Sequence, residues 1–92
     1  MTVDAIEWMR RRDVSLYAGD ISDTFPPVDP EVPMPLHMVG LTRLGMPLID
    51  GVMVDELAAV CAELERYAFL LTVAPPRLRG ATGAPVKPLA IF

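Results

Sequence analysis

The 92-residue chain has one cysteine, Cys61, and one histidine, His37. A single cysteine excludes an intramolecular disulfide framework and a cysteine-built zinc cage. A single histidine excludes a self-contained multi-histidine metal site. Base is scarce as well: from Asp13 through Glu31 there are five acids and no lysine or arginine, and the net charge is −4. Nucleic-acid binding by counterion release needs a basic face, so no nucleic-acid partner is expected. The only basic run, Arg10-Arg11-Arg12, reads as a helix C-terminus that complements the macrodipole. The longest apolar stretch, Tyr67 to Ala74, is too short to span a bilayer, and no basic segment followed by an apolar core opens the chain. A cytoplasmic protein with no membrane partner is therefore expected.

Apolar residues are plentiful, at 52% against 22% charged, so the chain can bury a core. A protein this short buries only about 60–65% of its unfolded surface, which leaves a narrow margin of stability. Prolines number 10 and gather in two clusters. They punctuate the chain rather than form a low-complexity tract.

Thr2 to about Arg12 reads as a helix, capped by Thr2, with Val3, Ile6, Met9 and Arg10 on one face. Trp8 lies off that stripe and is expected to meet a second surface. Val14 to Ala18 is a strand candidate stopped by Gly19-Asp20. Residues 20–34 carry Pro26, Pro27, Pro30 and Pro33 and form a loop, of a length that is usually functional or disordered. Pro35 opens a second helix to Leu44, with Gly45 as its left-handed stop. Met46 to Ile49 is a second strand, ended by Asp50-Gly51. A third helix runs from about Val54 to Arg66, with Val54, Leu57, Cys61 and Leu64 on one face. Ala68 to Ala74 is a strand apolar on both faces, which predicts a central position. Arg77 to Arg79 is a brief strand candidate, Gly80 to Gly83 a turn, and Leu89 to Phe92 a last strand. Alternation of helices and strands argues an α/β layer structure with three helices and about four to five short strands.

Few residues offer chemistry. His37 stands at a helix start just after the proline-rich loop, where imidazole can serve as ligand or general base; the plainer reading is a hydrogen-bonded structural histidine. Asp20, Ser22 and Asp23 sit where a strand runs out into a loop, a common place for functional groups; the plainer reading is turn chemistry. Gly80-Ala81-Thr82-Gly83-Ala84-Pro85 lacks the order of a phosphate loop and is a turn. Cys61 reads as a buried small hydrophobe, and the methionines as core filler.

The string Ala5-Ile6-Glu7-Trp8-Met9 through Asp13-Val14, followed by Gly19-Asp20-Ile21-Ser22-Asp23, resembles the helix–strand–GxD passage of the cyclase family. Those are metal-dependent hydrolases that include bacterial kynurenine formamidase. The resemblance continues through Pro35-Leu36-His37, Gly45-Met46-Pro47-Leu48-Ile49-Asp50 and Leu57 to Glu63. It ends with Phe69 to Pro75, Gly80 to Val86 and Pro88 to Phe92, so it covers the whole chain collinearly. It implies one partial domain, 1–92, equivalent to the C-terminal third of such enzymes and part of a swivelling β/β/α fold. The family's diagnostic H-x-G-T-H-x-D-x-P-x-H motif does not occur. A histidine before the first helix and a glutamate near its end also fail to map, since Arg11 or Arg12 stands where the acid is expected.

The resemblance therefore implies zinc or manganese for the full-length family but no metal ligand and no catalytic residue in this chain. It carries over only a pocket wall: Asp20, Ser22, Asp23 and His37. The function implied is a fragment of an arylformamidase-like amide hydrolase, inactive alone, whose substrate would be an N-formyl aryl amine or a cyclic amide. The alternative is a non-catalytic interaction module built on that fold. With the rest of such a fold missing, self-association is expected.

Overall fold

The structure, a computed structural model, describes residues 1–92. The chain forms two compact units, Met1–Met53 and Val54–Phe92. The first opens with helix α1, Val3–Arg11. Thr2 is extended and its hydroxyl accepts the Ala5 N–H at 3.3 Å, satisfying one of the donors a helix start leaves open. Asp4 lies in the first turn and Arg10 and Arg11 in the last, as the helix dipole favours. The helix ends in a Schellman motif: Val14 N–H reaches Met9 C=O and Asp13 N–H reaches Arg10 C=O. Asp13 takes the left-handed position, φ 52°.

The basic run does what a helix end asks of it, and each arginine finds a neighbour on or just beyond α1. Arg11 pairs with Glu7, and Arg10 pairs with Asp13 at 3.3 Å. The Arg12 guanidinium lies 4.1 Å from the centre of the Trp8 ring. Trp8 is 53% exposed, with the Arg12 guanidinium over its ring.

Ile6 of α1 meets Leu36 and Met46 in the core of this unit, with Met1, Met9, Val14, Tyr17, Val39 and Leu48 packed around them. Ile6 and Leu36 are fully buried, and each contributes about 1.5–3 kcal/mol by leaving water. Of the methionines, Met46 is core, whereas Met34, Met38 and Met53 are exposed and fill nothing.

The second helix follows Pro35 as expected but is wider than expected. Leu36–Leu41 is a π-helix, with Thr42 N–H bonded to His37 C=O five residues back. Gly40 lies at its contact with α1: a Cβ there would meet Met46 Cε at 3.1 Å and Ile6 Cδ1 at 3.7 Å. Gly45, φ 68°, supplies the left-handed stop, and Met46 N–H closes back onto Gly40 C=O.

Strands β1, Tyr17–Gly19, and β2, Leu48–Asp50, pair in parallel, with Gly19 opposite Asp50. Both lie later in the chain than their apolar runs suggest, because the ladder, not hydropathy, sets where pairing begins. Between them come the irregular segment 20–34 and the π-helix, so the connection is the crossover that parallel pairing requires.

The second unit begins with α2, Asp55–Glu63, which also ends in a Schellman motif: Arg66 N–H bonds Cys61 C=O, and Glu65 adopts φ 48°. Cys61 is buried, as its place on the apolar stripe predicts. Strands β3, Leu70–Thr72, and β4, Leu89–Ile91, form an antiparallel pair with Leu70 opposite Ile91 and Thr72 opposite Leu89. The Phe69 and Phe92 rings meet at 5.4 Å beyond the end of the ladder.

β3 is not central. It has one neighbour, and Leu70, Leu71, Leu89 and Ile91 are all exposed. Leu70, Leu89 and Ile91 share one face of the pair and Leu71 lies on the other, and no second layer of this unit covers them. Arg77–Arg79 is not a strand; Leu78 N–H turns back to Pro76 C=O, and Gly80 makes the turn with φ 78°. The chain is a small mixed protein of three helices and four short strands in two small sheets, compatible with the α/β class. No helix is long and apolar enough to cross a membrane.

Candidate functional site

The parallel strands end side by side, and the polar chemistry of the first unit collects there, where open α/β sheets place their ligands. Asp50 is the last residue of β2. Asp20 follows β1, and three residues on Asp23 turns inward until its carboxylate is only 6% exposed. That carboxylate accepts three hydrogen bonds. The Leu36 N–H lies 2.9 Å from Oδ1; the His37 N–H at 3.1 Å and the His37 Nδ1 at 2.8 Å both meet Oδ2. Pro35 has no N–H to offer, so Asp23 caps the π-helix at its first two available donors, from thirteen residues upstream. The same carboxylate fixes the orientation of the imidazole.

The other ring nitrogen, Nε2, faces Asp50 Oδ2 at 3.1 Å. His37 is thus held between two carboxylates, one buried and one 36% exposed. Hydrogen bonding to Asp23 raises the His37 pKa above its ordinary value; burial works against this, and the charges of Asp50 and Asp23 add to it. For Asp23, burial pushes the carboxyl upward. Hydrogen bonds from the His37 ring and from the Leu36 and His37 N–H groups more than offset burial and hold its pKa below the usual value. The arrangement favours an imidazolium between two carboxylates.

Tyr17 joins the cluster from β1. Burial first, then the charges of Asp20, Asp50 and Asp23, raise its phenol pKa. Its hydroxyl donates to the Ile21 carbonyl, and its ring lies where a Cβ on Gly19 would stand, 2.9 Å from Cζ. Tyr17 so ties the start of the loop back onto the strand.

Of the four pocket residues expected from sequence, Asp23 and His37 are in direct contact. Asp20 is exposed and acts on the cluster through its charge on Tyr17. Ser22 is half-buried and takes no part in the hydrogen-bond network around His37. Asp50 and Tyr17 do not stand out in the sequence. Asp50 reads there as half of an Asp-Gly turn, and only the parallel register carries it to the strand end beside His37.

The donor set does not suit a resident divalent metal. Both nitrogens of the one imidazole are engaged by carboxylates, and no group of three His, Cys, Asp or Glu side chains is arranged so that it could hold an ion. Two cavities of the first unit lie elsewhere. One, about 330 Å³, is lined by Arg10, Asp13, Val14, Ser15, Leu44, Gly45 and Met46; another, about 230 Å³, lies between the start of α1 and Val28 to Pro35. Neither includes Asp23, His37 or Asp50, and in the larger one Arg10 and Asp13 pair with each other. The cluster, an open group at a strand end, is the stronger candidate because its chemistry converges. Comparison with known proteins gives no match: no family model, no curated protein and no solved structure matches the chain.

Proposed function

We propose that the Asp23–His37–Asp50 cluster is the acid–base wall of a small-molecule site in a cyclase-type amide hydrolase, and that this chain does not complete the active site by itself. One observation carries the reading: the only histidine is oriented by a buried carboxylate at the carboxyl ends of two parallel strands. A carboxylate-held imidazole is a proton donor and acceptor near neutrality. An N-formyl aryl amine or a cyclic amide has a carbonyl oxygen and a nitrogen that such a group can serve. In this reading the chain is the C-terminal part of a swivelling β/β/α domain, and metal ligands belong to a segment bearing the H-x-G-T-H-x-D-x-P-x-H pattern.

The test uses formanilide and nuclear magnetic resonance of the single His37 ring. A saturable shift of its Cε1 proton, with no hydrolysis in zinc or manganese alone, is expected. Hydrolysis is expected once the metal-binding segment is supplied, and to fall in His37→Ala. Metal-dependent turnover by the 92 residues alone, or no response of His37 at saturating formanilide, would overturn the proposal.

A second reading, an interaction module, is favoured by the exposed apolar face of Leu70, Leu89 and Ile91 on the second unit. A chain that stays monomeric at high concentration would count against it.

A further inference from the structure

Asp23 and Asp50 do not hold His37 in equivalent ways. Asp23 is buried and also bound to two backbone N–H groups, so it cannot leave the ring without uncapping the π-helix. Asp50 is over a third exposed and touches the ring through one contact, so water can replace it. Both carboxylates are acceptors. A neutral imidazole has one N–H and one lone pair, so it can satisfy only one of them; both contacts need both nitrogens protonated. The remaining charged or titratable groups of the cluster are Asp20 and Tyr17, and neither bonds the ring.

We propose that Asp50 is a built-in occupant of His37 Nε2, which withholds that nitrogen from ligands while the ring is doubly protonated and releases it when the ring loses a proton. The proton lost is the one on Nε2, because Asp23 keeps the Nδ1–H. Release leaves an Asp23-oriented imidazole whose Nε2 lone pair points to where Asp50 stood, ready to accept from the N–H or O–H of a small ligand. This concerns the regulation of the site proposed above and rests on that reading for its biological meaning. The switch itself is tested without any substrate.

Diethyl pyrocarbonate acylates neutral, accessible imidazole, and a chain with one histidine gives one product to follow. The parent is expected to react slowly below neutrality and to speed up as pH rises. Asp50→Ala is expected to react about fivefold or more faster near pH 6.5, the population change that loss of one net hydrogen bond produces. Its rate-against-pH curve should lie at lower pH than the parent's. Asp50→Asn, which keeps the shape of the strand end, should move the curve the same way. Asp4→Asn, which makes the same one-unit change in net charge at the start of α1 and is not among the charges that act on His37, should leave it unmoved. Superimposable curves for the parent and both Asp50 variants would overturn the proposal. So would a parent that reacts like free imidazole throughout. Formanilide binding plays no part in either outcome, so the two proposals fail separately.

Discussion

Replacing Asp23 with alanine removes one carboxylate and three hydrogen bonds. Two of these cap the π-helix at Leu36 and His37, and loss of such a cap costs about 0.5–2 kcal/mol. The third is charge-assisted, and bonds of that kind contribute about 1.5–3 kcal/mol. The imidazole is 37% exposed, so water replaces part of that bond and the low end applies. Asp23→Ala should therefore cost about 2–3 kcal/mol at about pH 5, where His37 is charged, and about 1–2 kcal/mol at about pH 9, where the cap and the neutral ring's Nδ1–H bond are lost but the ring's charge no longer contributes.

The sign follows from the shifts. His37 has a raised pKa, so its contribution is complete below the ordinary value of 6.5 and fades as pH rises through the folded value. Asp23 has a lowered pKa, so its contribution is present above the ordinary 3.8 and fades as pH falls through the folded value. A unit of this size has roughly 3–8 kcal/mol in total, so the loss is large. Trp8, the only tryptophan, lies in α1, and its emission in urea reports the first unit. Asp23→Asn keeps an acceptor for the cap and should recover much of the cap contribution but not the pH dependence. An Asp23→Ala variant within about 0.5 kcal/mol of the parent at both pH values would refute the reasoning, since that is the scatter of ordinary surface changes.

Glu65 occupies a left-handed position at the end of α2, φ 48°. Glu65→Gly should stabilise the second unit by about 1 kcal/mol, read as a rise in its urea midpoint by circular dichroism. Calorimetric titration at about pH 6, where both His37 nitrogens carry protons and face carboxylates, should show no micromolar binding of zinc or manganese; tight binding abolished by His37→Ala would contradict this. Leu70 and Ile91 are paired and exposed on β3 and β4, so the parent should self-associate as concentration rises. Leu70→Lys together with Ile91→Lys should shift sedimentation toward the monomer.

The helices were the legible part of the fold, because their end signals are local. Thr2 marks one start, Pro35 stands one residue before another, and Gly45 sits at the stop it implies. The widening of the second helix was not legible, since Pro35 and Gly45 mark where a helix starts and stops but not the spacing of its hydrogen bonds. Strands were harder. Val14 and Leu16 look like strand residues but precede the ladder, which starts at Tyr17 only because Leu48 lies opposite. Leu70 and Leu71 look central, yet hydropathy cannot say whether a covering layer is present. In the site, Asp23 and His37 were visible as polar groups flanking a long loop. Asp50 was not, because its role comes from a parallel register across some thirty residues, and Asp-Gly is locally a turn.

The central claim is that His37 is an imidazolium bridging Asp23 and Asp50. The most direct test is nitrogen-detected magnetic resonance of its single ring across a pH titration. Protons are expected on both Nδ1 and Nε2 to above the ordinary value of 6.5, then loss of the Nε2 proton with Nδ1 still protonated. A ring that titrates at or below 6.5, or that loses the Nδ1 proton first, would contradict it.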